Sequence, residues 1–311
     1  REARFSVSPP QTLPAELPPA RRRAIPGFAQ SWLLLVAYIA LIVITSVPLG
    51  IFYALARKEV GPEMYHTLTG WGMVAQTAFV FSVLIGLCLV VAREPWQRVL
   101  PLRGFRPAIV PPLLVTAAGC TVLLSEVDNV LRWFMPPPQF FTEVMREMFS
   151  YGPASLVLIV VLAPLTEEPL FRGFVLNGFR QRYRPWTAVL LSSLLFAVFH
   201  LNPYQFAGAF GVGIILAWLR LRTGSLWPCI LLHLVWNAVP FTCMALQIEI
   251  RGFSGMDAGQ HSFQPLWFDA AGLVAAAVGL GWLWLLLRRP HAPTACGLAE
   301  GEPEHAAEPS P

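Results

Sequence analysis

Residues 154–179 read ASLVLIVVLAPLTEEPLFRGFVLNGF, an apolar stretch interrupted by the charges of Glu167, Glu168 and Arg172. A helix needs about 20 predominantly apolar residues to cross the hydrocarbon core of a membrane, and this stretch is long enough. Seven further apolar segments also qualify: Trp32–Ala56, Gly70–Ala92, Ala108–Ser125, Trp186–Leu201, Tyr204–Leu219, Leu226–Leu246 and Trp267–Leu287. The sequence therefore predicts an all-α fold, a polytopic membrane bundle of eight transmembrane helices.

The composition excludes the other broad classes of protein. Of the 311 residues, 55% are hydrophobic and 13% are charged, whereas soluble domains carry about 25% charged residues. The mean hydropathy is +0.56. Five cysteines in a chain of this length, with no C-x-x-C pair, do not form the framework of a disulfide-rich secreted scaffold. The net charge of +4 does not require a nucleic-acid partner, because membrane proteins place arginines in their cytoplasmic loops.

The basic residues predict the orientation of the bundle. With a cytoplasmic N-terminus, the five outside basic residues are Arg57, Lys58, Arg132, Arg146 and Arg251. The fourteen inside ones are Arg21, Arg22, Arg23, Arg93, Arg98, Arg103, Arg106, Arg180, Arg182, Arg184, Arg220, Arg222, Arg288 and Arg289. Cytoplasmic loops carry the excess of basic residues. We therefore expect both termini on the cytoplasmic side of a bacterial cytoplasmic membrane.

The ends of the chain differ in composition from the apolar segments. Residues 1–30 are rich in proline, and residues 290–311 hold five prolines and four glutamates. Such composition is typical of disordered segments. The sequence thus predicts a transmembrane domain over residues 31–289 between two disordered arms.

The charges inside residues 154–179 need compensation. One charge at the centre of a membrane helix costs about 2.5–3.5 kcal/mol on insertion scales. Glu168 and Arg172 are four residues apart on one helix face and can form an ion pair. Glu167 points about 100° away from Glu168, and Pro169 removes a helical hydrogen bond beside both carboxylates. Glu167 is then either a second bridge to Arg172 or a group that faces other spans.

Other spans supply polar partners for Glu167. His200 and His233 are the only two of the six histidines that lie in the predicted spans, and Asn237 shares a helix face with His233. A lone buried histidine is usually structural, but this combination suits chemistry. A carboxylate beside an imidazole can activate water, and an imidazole and an amide can bind an oxyanion. The sequence has no G-x-S-x-G elbow for a nucleophilic serine.

At these residues the chain resembles the CAAX protease and bacteriocin-processing (Abi) family of intramembrane glutamic endopeptidases. The family motifs are E-E-x-x-x-R, F-x-x-x-H and H-x-x-x-N or H-x-x-x-D. Here they run from Glu167 to Arg172, from Phe196 to His200 and from His233 to Asn237. All three occur in order within a core of about residues 154–246, and the first three spans lie outside the resemblance.

The resemblance implies a role for each motif residue. Glu167 and His200 would activate the water, and His233 and Asn237 would form the oxyanion hole. The supporting residues would be Glu168 and Arg172, which fix the helix and orient Glu167, and Phe196, which shapes the site.

The depths of the two histidines do not match in the predicted spans. Counted from the cytoplasmic helix ends, His200 lies roughly 21 Å and His233 roughly 10 Å into the membrane. A fifth span that ends near mid-membrane would reduce this mismatch.

A metal-free mechanism is expected. Glu167, His200 and His233 could hold a zinc ion, which is the alternative, but the H-E-x-x-H motif is absent. The guanidinium of Arg172 also repels a divalent cation. No cofactor is therefore predicted.

The predicted function is hydrolysis of a peptide bond in a membrane-associated or lipidated substrate. The partners are this peptide or protein and the lipid bilayer, with no nucleic acid. Two alternatives remain open. One is a non-catalytic membrane scaffold or immunity protein, and the other is a proton-coupled transporter, because intramembrane Glu and His also form proton relays.

Overall fold

The computed structural model describes residues 26–92, 95–253 and 262–288, and the regular elements in these ranges are all helical. The helices are α1 (Phe28–Glu59), α2 (Pro62–Ala92), α3 (Trp96–Val99), α4 (Pro107–Phe134), α5 (Gln139–Ser150), α6 (Pro153–Arg180), α7 (Pro185–Phe199), α8 (Pro203–Thr223), α9 (Trp227–Ala245) and α10 (Leu266–Leu287). The prediction of an all-α polytopic bundle is confirmed.

Six of these helices are long and apolar enough to cross a membrane: α1, α2, α4, α6, α8 and α10. The protein is therefore an integral, multi-pass membrane protein. The apolar helices α7 and α9 are shorter, and the 15 residues of α7 extend roughly 22 Å. The count of eight spans stays a prediction for these two helices.

Helix α6, which carries Glu167 and Glu168, is not a regular α-helix. Two π-helical segments interrupt it, Val157–Leu162 and Pro169–Val175. The second one begins directly after Glu168, where the missing N–H of Pro169 breaks the regular hydrogen-bond ladder. Single π-helical turns widen a helix locally and are frequent at functional sites.

Helices α7 and α8 are joined by a tight turn that places His200. The helix α7 ends at Phe199, and only His200, Leu201 and Asn202 precede α8. Leu201 adopts a φ of 50°, a left-handed conformation that is uncommon for a residue other than glycine. The side chain of Asn202 accepts a hydrogen bond from the backbone N–H of Tyr204 at 3.0 Å and caps α8. His200 is therefore held at the end of a short helix.

Close backbone packing holds α4 against α10. A Cβ atom on Gly119 would collide with the backbone nitrogen of Ala276, and one on Gly279 would collide with Thr116. Small residues allow membrane helices to approach each other at this distance. The pairing runs antiparallel, which brings the first turn of α10 to the C-terminal end of α4.

Two apolar cores flank the polar residues of the bundle. One core joins α1, α2, α6 and α7 around Phe171, Phe179 and Phe196. The other joins α4, α8, α9 and α10 around Leu113, Leu216 and Leu283. The polar side chains of α6 and α9 lie where the two cores meet. Residues 1–25 and 289–311, which include most of the predicted disordered arms, lie outside the described residues.

Candidate active site

Glu168 and Arg172 form a completely buried ion pair. Arg172 Nη1 donates to Glu168 Oε1 at 3.1 Å, and neither side chain is exposed. Arg172 Nη2 also donates to the backbone carbonyl of Gly213 on α8 at 3.3 Å. The predicted pairing is therefore present, with one arginine nitrogen on the carboxylate and the other on a neighbouring helix.

His233 is the third member of this buried cluster. Its Nδ1 lies 2.8 Å from Glu168 Oε1. Because a carboxylate oxygen accepts, Nδ1–H donates this bond, and the bond fixes the orientation of the imidazole ring. The resemblance implied that Glu168 fixes the helix and orients Glu167. Its contact with His233 could not be predicted from the sequence, because it depends on how α6 packs against α9.

Glu167 faces the other nitrogen of the same imidazole ring. Its Oε2 lies 3.9 Å from His233 Nε2, which is too long for a direct hydrogen bond. Glu167 keeps 18% of its side-chain surface exposed, whereas Glu168 has none. Within the described residues, Arg172 pairs with Glu168 and not with Glu167, so the alternative of a second bridge to Arg172 is wrong.

His200 presents one free ring nitrogen to the site. Its Nδ1 donates to the backbone carbonyl of Phe196 at 2.9 Å, because a carbonyl can only accept. Nε2 is then available to accept a proton. In the described part of the chain, neither glutamate of α6 comes within 4.0 Å of a nitrogen of His200. Glu167 and His200 therefore form no direct ion pair in the described part of the chain.

Asn237 is held one helical turn from His233 on α9. Its Nδ2 donates to the backbone carbonyl of Ile159, in the first π-helical segment of α6, at 2.9 Å. A primary amide has two N–H groups, so this bond orients the amide and leaves a second donor.

The ring of Phe196 connects these groups. The guanidinium carbon of Arg172 lies 4.2 Å from the ring centroid, a cation–π distance. The ring centroids of His200 and His233 lie 4.9 and 5.8 Å away, both edge-on. Phe196 therefore packs against both histidines as well as against the ion pair.

A cavity of about 950 Å³ lies in front of the two histidines. His200, His233, Asn237 and Phe196 form part of its wall, together with residues of α4, α8 and the segment after α9. A cavity of this size is typical of small-molecule or peptide sites. Glu167 is not part of the described wall, and it faces His233 Nε2 from the α6 side.

The structure thus brings together all seven residues singled out in the sequence. The residues that sequence reasoning missed are backbone groups, the carbonyls of Ile159 and Gly213, which have no sequence signal. In the described ranges no group of three or more His, Cys, Asp or Glu side chains is arranged to hold a metal ion. The cysteines Cys88, Cys120, Cys229 and Cys243 are free and buried.

Comparison with known proteins identifies the family. The model of the family described as "Type II CAAX prenyl endopeptidase Rce1-like" matches residues 150–239, which contain every residue of this site. The chain belongs to the Rce1-like family. Membership supports a membrane peptidase of CAAX type.

Two bacterial relatives are similar over longer stretches. The "Uncharacterized 24.3 kDa protein" of Escherichia coli is 35% identical over 156 residues, which cover 48% of this chain and 70% of the relative. The Bacillus subtilis protein named "Putative membrane peptidase YdiL" is 21% identical over 216 residues, which cover 67% of this chain and 86% of that protein. No solved structure matches the chain.

Proposed function

We propose that the protein is an endopeptidase that hydrolyses a peptide bond of a membrane-associated or lipidated substrate without a covalent intermediate. The observation that supports this proposal is that His200, His233 and Asn237 line one cavity, while Glu167 Oε2 lies 3.9 Å from His233 Nε2 and the buried Glu168–Arg172 pair is bonded to the other nitrogen of His233. General-base and oxyanion-binding groups are the two components that such hydrolysis needs.

Glu167 acts as the general base in this proposal. Two groups 3.9 Å apart, as Glu167 Oε2 and His233 Nε2 are, can share one bridging water. The free Nε2 of His200 accepts a hydrogen bond from the same water, so that its oxygen points at the carbonyl carbon under attack. Glu167 takes the proton and returns it to the leaving amine.

The oxyanion binds to His233 and Asn237. The second N–H of the Asn237 amide donates to it. His233 Nε2, which lies 3.9 Å from Glu167 Oε2, is the second group of this proposed oxyanion hole. The bond from its Nδ1 to Glu168 fixes the orientation of the ring.

The test is cleavage of quenched fluorescent peptides by the purified full-length protein in detergent. Glu167→Gln keeps the shape of the side chain and removes the base, so we expect a loss of roughly 10²–10⁴-fold in turnover with unchanged thermal stability. Glu63→Gln is the matched control, because Glu63 is exposed in the first turn of α2, away from the site. More than a tenth of the activity in Glu167→Gln would contradict the assignment. A protein that folds but cleaves nothing in its unmodified form would instead fit the scaffold alternative.

A further inference from the structure

Arg220, in the last turn of α8, is a buried arginine that no carboxylate neutralises. It is 7% exposed, and its Nε atom is buried without a hydrogen-bond partner among the described residues. In the same part of the chain, its side chain forms no ion pair. Arg172, the other buried arginine, pairs with Glu168. A buried charge without a partner is costly, so the surroundings of Arg220 favour an anion that is not one of the described side chains.

Arg180, at the end of α6, lies beside Arg220. The bond between Arg172 Nη2 and the carbonyl of Gly213 joins α6 to α8. Arg180 follows Arg172 by eight residues and Arg220 follows Gly213 by seven, which is about two helical turns in both helices. Arg180 and Arg220 therefore reach the same level of the bundle, and they are close enough for their charges to repel each other.

The turn after α8 brings Arg103 to the same place. Gly224 ends α8 with a φ of 68°, and its N–H donates to the carbonyl of Arg220 at 3.0 Å. The next residue, Ser225, donates from Oγ to the backbone carbonyl of Arg103 at 2.6 Å. The charge of Arg103 also repels that of Arg220. Arg103 and Arg180 are exposed, so these three residues form an arginine cluster with a buried member and two outer members.

The described part of the chain has no carboxylate near this arginine cluster. Apart from the two glutamates of α6, its carboxylates lie at the opposite end of the bundle: at the end of α1, the start of α2, the C-terminal half of α4, in α5, after α9 and at the start of α10. An anion bound between the three arginines would offset their repulsion. Arginine suits a phosphate group in particular, because its planar guanidinium can donate two parallel hydrogen bonds to it.

The arginine cluster lies at the depth of lipid headgroups. Tryptophan is enriched where a membrane meets water. Three exposed tryptophans occupy the first turns of α3, α7 and α9, which begin at this end of the bundle: Trp96, Trp186 and Trp227. Basic pockets between membrane helices bind the headgroups of anionic lipids. This position favours a phospholipid over a phosphate ion from solution.

We propose that Arg103, Arg180 and Arg220 bind the phosphate of an anionic phospholipid. Arg220 donates to the phosphate from inside the bundle, and the two exposed arginines hold the headgroup from outside. The site is separate from the cavity beside His200 and His233, whose described wall contains none of the three arginines. It does not depend on the proposed peptidase function.

Lipid binding to the purified full-length protein in non-ionic detergent tests the proposal. Native mass spectrometry counts bound phosphatidylglycerol and, separately, bound phosphatidylcholine. We expect Arg220→Gln to lower the affinity for phosphatidylglycerol at least roughly tenfold, since hydrogen bonds to charged groups are lost. Arg222→Gln is the matched control, because Arg222 lies two residues further along, is exposed and undergoes the same change of charge. Equal binding of phosphatidylglycerol by Arg220→Gln and the unmodified protein, or equal binding of both lipids, would overturn the proposal.

Thermal unfolding distinguishes a lipid site from a structural role of Arg220. Without lipid, Arg220→Gln should unfold at the temperature of the unmodified protein or above it, because it removes a buried charge that lacks a partner. Phosphatidylglycerol should raise the unfolding temperature of the unmodified protein and of Arg222→Gln, but not that of Arg220→Gln. Lower stability of Arg220→Gln without lipid, with an unchanged response to the lipid, would overturn the proposal.

Two further arms complete the test. If Arg220→Gln does not fold, the double variant Arg103→Gln/Arg180→Gln replaces it, since both side chains are exposed, and it should lose most of the response to phosphatidylglycerol. An unchanged response in this double variant would contradict the assigned site. Inorganic phosphate should not reproduce the effect of the lipid, and an equal effect of inorganic phosphate would overturn the assignment to a phospholipid.

Discussion

Two acid–arginine pairs of identical spacing lie at different depths of the same bundle. Glu168 and Arg172 on α6 and Asp128 and Arg132 on α4 are both four residues apart and both form an ion pair. The α6 pair has no exposed side-chain surface, whereas Asp128 and Arg132 are 30% and 34% exposed. The α4 pair lies on the wall of the cavity near its mouth.

Burial, and not spacing, decides what such a pair contributes to stability. The buried pair also holds His233 by a hydrogen bond of 2.8 Å, and the ring of Phe196 lies 4.2 Å from the guanidinium carbon. The α4 pair keeps about a third of its side-chain surface exposed, and its arginine lies 5.9 Å from the ring of Tyr204. Water can therefore reach part of the α4 pair after disruption, whereas the α6 pair has no exposed surface.

Arg172→Leu should have the largest effect on stability. It leaves Glu168 as a buried charge with only His233 as partner, and breaking a buried pair costs about 3–5 kcal/mol. We expect a large loss of thermal stability in detergent together with loss of peptide cleavage. Arg172→Lys should recover part of the stability, because the charge remains. If Arg172→Leu unfolded at the same temperature as the unmodified protein, the α6 pair would contribute no more to stability than a surface pair does.

Asn237→Ala should lower catalysis without affecting stability to the same degree. Removal of one oxyanion donor typically reduces turnover by roughly 10²–10³-fold, while substrate binding in the ground state changes little. The measurement is kcat and KM for one peptide. Asn237→Asp is the matched variant, because it keeps the size of the side chain and removes its N–H donors. Unchanged turnover in Asn237→Ala would show that the amide serves only its bond to Ile159.

Most of the fold could be predicted from the sequence, because long apolar segments have few alternatives in a membrane. The predicted span 154–179 corresponds to Pro153–Arg180, and the predicted span 267–287 corresponds to Leu266–Leu287. The prediction lacked α5, an amphipathic helix without buried residues. Its apolar residues are spaced along one face and never form a continuous run.

The members of the site could also be predicted, because charges and histidines are costly inside a membrane and therefore stand out. Their contacts could not be predicted. The bond between Glu168 and His233 depends on the rotation of α6 against α9, and the bond between Asn237 and Ile159 depends on a π-helical segment. The periodicity along one helix predicts which residues share a face, but it does not predict which neighbouring helix they contact.

Arg132→Leu tests the other side of the comparison and should have a small effect. Half-exposed ion pairs contribute roughly 0.2–1 kcal/mol, and added salt screens them. We expect a small decrease in thermal stability that 1 M salt largely removes, and a change in KM for charged peptides because Arg132 lies on the cavity wall. A stability loss as large as that of Arg172→Leu would mean that the α4 pair is as poorly solvated as the α6 pair.

Removal of metal by a chelator should leave the rate of peptide cleavage unchanged, the smallest effect among these predictions. We propose that the reaction needs no metal. His233 Nδ1 and Glu168 Oε1 are bonded to each other, which occupies two donor atoms that a zinc site would need. The guanidinium of Arg172 donates to the same carboxylate oxygen and repels a divalent cation in a medium of low dielectric constant. The expected result is full peptide cleavage after incubation with a membrane-permeant chelator, with less than stoichiometric zinc in the active protein by elemental analysis.

Activity that is lost to the chelator and restored by zinc would contradict this proposal. Glu167 would then be a metal ligand instead of the base, and the 3.9 Å gap between Glu167 and His233 would be the space for an ion.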